Sequence, residues 1–191
     1  MAEAAAKEPV AKVSGKVAVG HPVDVATGAL THDFEDYVLP GRMPLVFGRR
    51  YSSAMPARPD GLFGPGWSCP FQMYLHKDLD GYHLLAEDGE TLIPFDDANG
   101  ALDSGHALRN PGMFHELRRD GARFVVTRWN PDTQEVVRYV FAGRSEAGPW
   151  PLSGRYTVSG QGIEVERDPK ERILALRQRR EGRGLRLVYD P

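Results

Sequence analysis

The sequence predicts an all-β protein made of antiparallel hairpins in series. Three observations carry that prediction. No stretch keeps a helical period of apolar residues, whereas short segments alternate apolar and polar side chains at period two. Asp-Gly and other glycine-containing turns separate these segments at short intervals, as in a meander. Glycine and proline number 21 and 15 among 191 residues, well above the usual combined share of roughly 12%, which suits a chain with many turns.

Taken in order, residues 1–18 read as a flexible N-terminal segment or linker. Glu3-Ala4-Ala5-Ala6-Lys7 equals one unit of a helical spacer. A β domain is expected over 19–172, and a truncated strand pair over 173–191. The cleanest alternation runs from Trp67 to Leu75, with Trp67, Cys69, Phe71, Met73 and Leu75 on one face. Pro70 lacks an N–H, so that strand is expected at an edge or with a bulge. Tyr82–Ala86 and Thr91–Phe95 flank Asp88-Gly89, a strong hairpin signal. His115–Arg119 and Arg123–Trp129 flank Asp120-Gly121, and Val136–Phe141 follows a turn at Asn130-Pro131-Asp132. Tyr156–Val158 pairs with Ile163–Arg167 around Ser159-Gly160, and Ile173–Gln178 with Leu185–Tyr189 around Gly182. Asp96 to Gly112 and Ser145 to Gly154 read as connections.

Composition narrows the function classes. Hydrophobic residues make up 41% and charged residues 26%, which disfavours disorder and a membrane span. Met1 to Val13 has no apolar run of signal-peptide length. The net charge is −2, so charge gives no argument for nucleic acid. From Arg167 to Arg186, seven Arg and one Lys face Asp168, Glu171 and Glu181. Without stacking aromatics or a known nucleic-acid module, that run reads as arginine on solvated strand faces. A lone Cys69 excludes an internal disulfide and a Cys-based metal site.

No catalytic constellation stands out. His21, His32, His76, His83, His106 and His115 show no metal-ligand spacing. Asp78-Leu79-Asp80-Gly81 and Asp96-Asp97-Ala98-Asn99-Gly100 lack the ligand alternation of a calcium loop and read as Asx turns. Gly61 to Gly66 is glycine-rich, but no helix follows to hold a phosphate. Asp33, Glu35 and Asp36 read as solvated carboxylates, and Cys69 as a buried, inert thiol. No cofactor, no metal site and no catalytic residue is expected.

One series of motifs is more specific. Pro22-Val23-Asp24 and Thr27-Gly28 precede Leu39-Pro40-Gly41; then come Arg49-Arg50-Tyr51-Ser52-Ser53 and Gly64-Pro65-Gly66-Trp67. In order and spacing this series resembles the N-terminal shell domain of Rhs proteins, the YD-repeat polymorphic toxins of bacteria. Near the end, Leu185-Arg186-Leu187-Val188-Tyr189-Asp190 resembles the first half of a YD repeat. The resemblance covers roughly residues 19–190.

The resemblance implies a long β-strip wound into a hollow shell, similar to the cocoons of insecticidal Tc toxins and teneurins. Such a shell encloses a C-terminal toxin, often delivered by type VI secretion in interbacterial competition. The implied role is structural: a shell segment that helps encapsulate and deliver the toxin. Implied partners are the rest of the shell and its toxin domain, with secretion spike or chaperone proteins, and no nucleic acid. The implied location is the bacterial cytoplasm, then secretion without a signal peptide. Some members are cut near the Pro-Val and Thr-Gly motif, and those carry Glu after the Gly; here Ala29 stands there, which argues against cleavage. Two alternatives to the shell role are a self-cleaving element at 21–29 and an autonomous β module binding carbohydrate or a receptor. The second rests on Tyr82, Trp129 and Trp150 as exposed stacking rings.

Overall fold

The computed structural model describes residues 12–13, 16–17, 23, 27–55, 62–145 and 147–189. Among them, β1 (Lys12–Val13) and β2 (Lys16–Val17) form a small hairpin. A three-stranded antiparallel sheet follows, ordered β3 (Thr31–Leu39), β4 (Leu45–Ser52) and β5 (Trp67–Ser68). The remaining strands belong to one large antiparallel sheet. These are β6 (Tyr74–Lys77), β7 (Gly81–Leu85), β8 (Leu92–Asp96), β9 (Leu108–Asn110) and β10 (His115–Asp120). After them come β11 (Arg123–Trp129), β12 (Val136–Phe141), β13 (Trp150–Thr157), β14 (Gly162–Arg167), β15 (Ile173–Gln178) and β16 (Gly184–Arg186).

Local chemistry explains the serial hairpins. Gly89 and Gly121 turn at φ of 74° and 60°, a region where a side chain is strained and glycine is not. Asn130 Oδ1 accepts the amides of Asp132 and Thr133, closing an Asx turn between β11 and β12. Asp168 Oδ1 does the same for Lys170 and Arg172 between β14 and β15.

Strand β13 is the branch point. One edge pairs with β12 along most of its length. The other is shared: Trp150 and Pro151 face Leu75 and Tyr74 of β6, while Gly154 to Tyr156 face β14. The register slips between Val140 and Phe141, leaving Ser153 as an extra residue whose hydroxyl donates to the Val140 carbonyl (3.0 Å). A bulge bends its strand, and this one lies where β13 changes neighbours. Strands β6 to β13 thereby curl into a nearly closed barrel. The seam lies between β8 and β9, where Asn110 Nδ2 donates to the Pro94 carbonyl (2.8 Å); Pro94 has no N–H to offer a ladder.

Tyr82, Phe124 and Trp150 meet inside the barrel, the last two rings 4.4 Å apart. Leu84, Leu117, Val126 and Leu152 are fully buried around them. The same apolar core continues to Leu45 and Phe47 of β4 and Ile173 and Leu176 of β15.

Four expectations need correction. Trp67–Leu75 is not one strand: Trp67 and Ser68 stay with β4, a turn closes from the Gln72 amide to the Cys69 carbonyl (2.9 Å), and Tyr74 opens β6. The segment is buried on both sides, Gln72 and Tyr74 as well as Phe71 and Met73, because it passes from one sheet to the other through the shared core. Ser145 to Gly154 is not all connection, since β13 begins at Trp150. Asp96 to Gly112 contains β9 and the start of a single 3-10 turn, Pro111–Met113. The last strand ends at Arg186, with one further ladder bond from the Leu187 amide to the Leu174 carbonyl.

Candidate functional site

Two groups of motif residues lie at the two ends of β4, Leu39 opposite Leu45 and Trp67 opposite Tyr51. Leu39, Pro40 and Gly41 open the loop between β3 and β4, and Gln178 reaches into that loop from the end of β15. Its Nε2 lies 3.2 Å from the Leu39 carbonyl, 3.3 Å from that of Pro40 and 3.1 Å from that of Met43. Gln178 is 1% exposed and Met43 is buried, whereas Leu39 is half-buried and Pro40 exposed, so the Met43 carbonyl depends most on this donor. Arg183 also donates to the Pro40 carbonyl, and the Arg42 amide reaches Glu181 Oε1 (3.4 Å). A Cβ on Gly41 would sit 2.5 Å from Gln178 Nε2, so a larger residue there would displace that amide from the loop. The Leu39–Gly41 motif is thus held by the turn that precedes the YD-like motif.

The second group surrounds Trp67. The Arg49 guanidinium pairs bidentately with Asp36, both bonds 2.7 Å, and lies 5.2 Å from the Trp67 ring centre. Phe34 and Phe63 each present a ring 5.4 Å from the same cation. Tyr51 packs on Trp67 at 5.3 Å, and Arg50 pairs with Asp33 at 3.2 Å. Gly66, at φ 78°, passes under Tyr51; a Cβ there would be 2.8 Å from its ring. The Ser52 amide donates to the Gly66 carbonyl (2.7 Å), fixing Gly64 to Trp67 along β4. Trp67 is half-buried, unlike Cys69, Phe71, Met73 and Leu75, with which its alternation grouped it. Asp33 and Asp36 are each paired with an arginine.

Thr27 and Gly28 lead into a short bridge between Val23 and Leu30, and Leu30 exchanges bonds with Ser53. The Thr27 hydroxyl accepts the Ala29 amide (3.3 Å). Pro22, Asp24 and Asp190 lie outside the described residues. Tyr189 folds back over β15: its hydroxyl donates to the Ile173 carbonyl (2.7 Å), and Arg172 covers its ring at 4.6 Å.

Sequence reasoning missed three polar features. Gln178 carries no motif. Arg167 lies part-buried beneath β13, where it donates to main-chain carbonyls; it is an exception to arginine on solvated faces. Glu87 accepts from the Tyr139 hydroxyl (2.9 Å) and from Arg155 (3.2 Å), with Arg128 at 3.7 Å. Burial, with the Glu87 charge beside it, drives the Tyr139 hydroxyl well above the ordinary phenol range. Burial also pushes the His115 imidazole down, despite its bond to the Met113 carbonyl. A buried polar residue gives no periodic signal, so only contacts distant in sequence reveal these groups. Tyr82 and Trp150 are buried at 1% and 3% exposure, which removes them as stacking platforms; Trp129 is half-buried against Phe114. Among the described residues, no three His, Cys, Asp or Glu side chains are placed to hold a metal ion. No helix among them is long and apolar enough to cross a membrane.

Residues 20–93 match a family described as a domain of unknown function, DUF6531. That match contains the Leu39–Gly41, Arg50–Tyr51 and Gly64–Trp67 motifs. The chain is also similar to the double-stranded DNA deaminase toxin A of Burkholderia cenocepacia. The two are 27% identical over 180 residues, which is 90% of this chain and 11% of that protein. The chain therefore spans about a tenth of that relative's length.

Proposed function

We propose that this chain is a structural segment of an Rhs toxin shell, helping to encapsulate and deliver a toxin carried elsewhere. The observation that carries this reading is the clamp of Gln178 and Arg183 on Leu39, Pro40 and Met43. It fastens the N-terminal motif series of the three-stranded sheet to the YD-like strand pair of the large sheet, β15 and β16. The large sheet ends on β16, whose outer edge has no partner strand among the described residues. An open edge offers backbone N–H and C=O groups to a following strand. The similarity to a deaminase toxin supports a place in a toxin system.

In this reading the chain is not an enzyme and does not cleave itself at 21–29. A zinc deaminase centre needs His and Cys ligands, and this sequence has a single Cys, which is buried. Its partners are the remaining shell and the enclosed toxin, before and during secretion by a specialised system. The test is co-expression with a YD-repeat polypeptide that carries its toxin domain. A one-to-one complex in which the toxin domain resists protease is expected. A chain that purifies alone, and leaves the toxin domain equally protease-sensitive, overturns the proposal.

A further inference from the structure

Arg167 is a part-buried cation held without a carboxylate. Its guanidinium donates to the carbonyls of Leu152 (3.3 Å), Glu171 (2.8 Å) and Phe71 (2.9 Å). Among the described residues no acidic oxygen pairs with it, whereas the neighbouring Arg172 is bound to Asp168 at 2.7 Å. Withdrawing a cation from water costs several kcal/mol unless a counter-charge compensates. Burial accordingly pushes the Arg167 pKa down. A guanidinium has five N–H groups; among the described residues three of them find acceptors, which leaves two for a ligand.

Arg167 lines a cleft of about 610 Å³ between the start of β13, the β14–β15 turn and Tyr189. The cleft has aromatic and apolar walls, Tyr74, Pro149, Ile173 and Tyr189 among them. Among the described residues, Arg144 and Lys170 add two exposed cations that form no ion pair, and Glu171 is the one acid lining the cleft. We infer that this cleft binds an acidic peptide segment, with an Asp or Glu carboxylate on Arg167 and an apolar side chain between Tyr74 and Tyr189. The several cations call for more than one carboxylate. The volume lies in the range of pockets for drug-sized ligands, about 300–1,000 Å³, too large for a lone small anion. This inference does not depend on the shell reading.

The test is fluorescence anisotropy of the full chain with a labelled Gly-Phe-Asp-Phe-Glu-Gly peptide and its Asn/Gln counterpart. Charge-assisted bonds give the acidic peptide about a tenfold or greater advantage, and added salt shrinks it. Arg167→Lys, which keeps the charge but loses the fork, weakens binding about tenfold. Because Arg167 also holds three carbonyls, Arg144→Ser and Lys170→Ser provide variants that leave the interior intact, each costing about two- to fivefold at a partly solvated ion pair. Equal binding of acidic and neutral peptides, or no change in Arg144→Ser and Lys170→Ser, overturns the inference. So does benzoate displacing the peptide at equal concentration, which marks a small-carboxylate site. A gain of tenfold in Asp190→Asn also overturns it, since the carboxylate for this cleft is then the chain's own.

Discussion

Replacing Gln178 with Met keeps the side chain's length and removes its hydrogen bonds, which makes it the sharpest probe of the clamp between the two motif regions. Nε2 has two hydrogens, so two of its three carbonyl contacts at 3.1–3.3 Å are strong at any moment. Each buried carbonyl left without a donor costs about 1–3 kcal/mol. Pro40 keeps its bond from Arg183, so the Leu39 and Met43 carbonyls bear the loss. One term opposes it: Gln178 Oε1 is itself buried without a partner among the described residues, and its removal returns about one such penalty. The net expectation for Gln178→Met is a loss of about 1–3 kcal/mol, read as a lower urea midpoint with unchanged slope. Amide exchange should rise in the loop from Pro40 to Met43 while the barrel strands keep their protection. Glu181→Gln, at an exposed position on the same loop contact, should stay within about 0.5 kcal/mol. If Gln178→Met is as stable as the parent and the loop amides exchange at the same rate, the clamp argument fails.

Three further outcomes are expected. Trp150→Ala should cost about 3–5 kcal/mol, the range for buried aromatic truncations, whereas half-buried Trp67→Ala should cost about 1–2 kcal/mol; equal losses in urea melts would contradict the different burial of the two rings. Burial pushes the Cys69 thiol up to about 12, so iodoacetamide should label it only in the unfolded chain, and mass spectrometry of native samples checks this. Burial pushes the Asp88 carboxyl up, but bonds from the Thr91 hydroxyl, the Thr91 amide and the Glu90 amide outweigh it and hold the pKa below its ordinary value. A depressed folded pKa gives stability that is present above the unfolded value, about 3.9, and lost as pH falls through the folded value. Asp88→Asn should therefore flatten the acid loss of stability below about pH 4, and acid titrations of both chains that superimpose would refute it.

Strands bounded by turn chemistry were legible in the sequence. β11, β12 and β15 begin and end where alternation and turns place them; β11 and β12 each bury one face, while β15 buries neighbouring Ala175 and Leu176 on opposite faces and is bounded by its turns. The segment from Trp67 to Leu75 was misread for the opposite reason: both faces are buried, so its alternation carried no register. Trp150 was misread because Pro149 and Pro151 look like breakers, yet Pro151 lies at the start of a strand, where its missing N–H costs little. In the candidate site, Gly41 and Gly66 were visible as motif glycines, and the structure supplies the close contacts that need them. Gln178 was invisible because its carbonyl partners lie 135 to 139 positions away, and Arg167 because one of its three carbonyl partners, Phe71, lies 96 positions away.

The central claim, that β16 is the edge on which the next shell strand builds, is tested most directly by hydrogen exchange across Gly184–Arg186 in the free chain and in complex with a YD-repeat polypeptide. A strand paired on one side exposes about half of its backbone amides to water, and pairing on the second side protects them. The account predicts rapid exchange there in the free chain and slowing of at least about tenfold in the complex, with the barrel strands unchanged. Equal exchange in both samples, with the two polypeptides otherwise bound together, would contradict it.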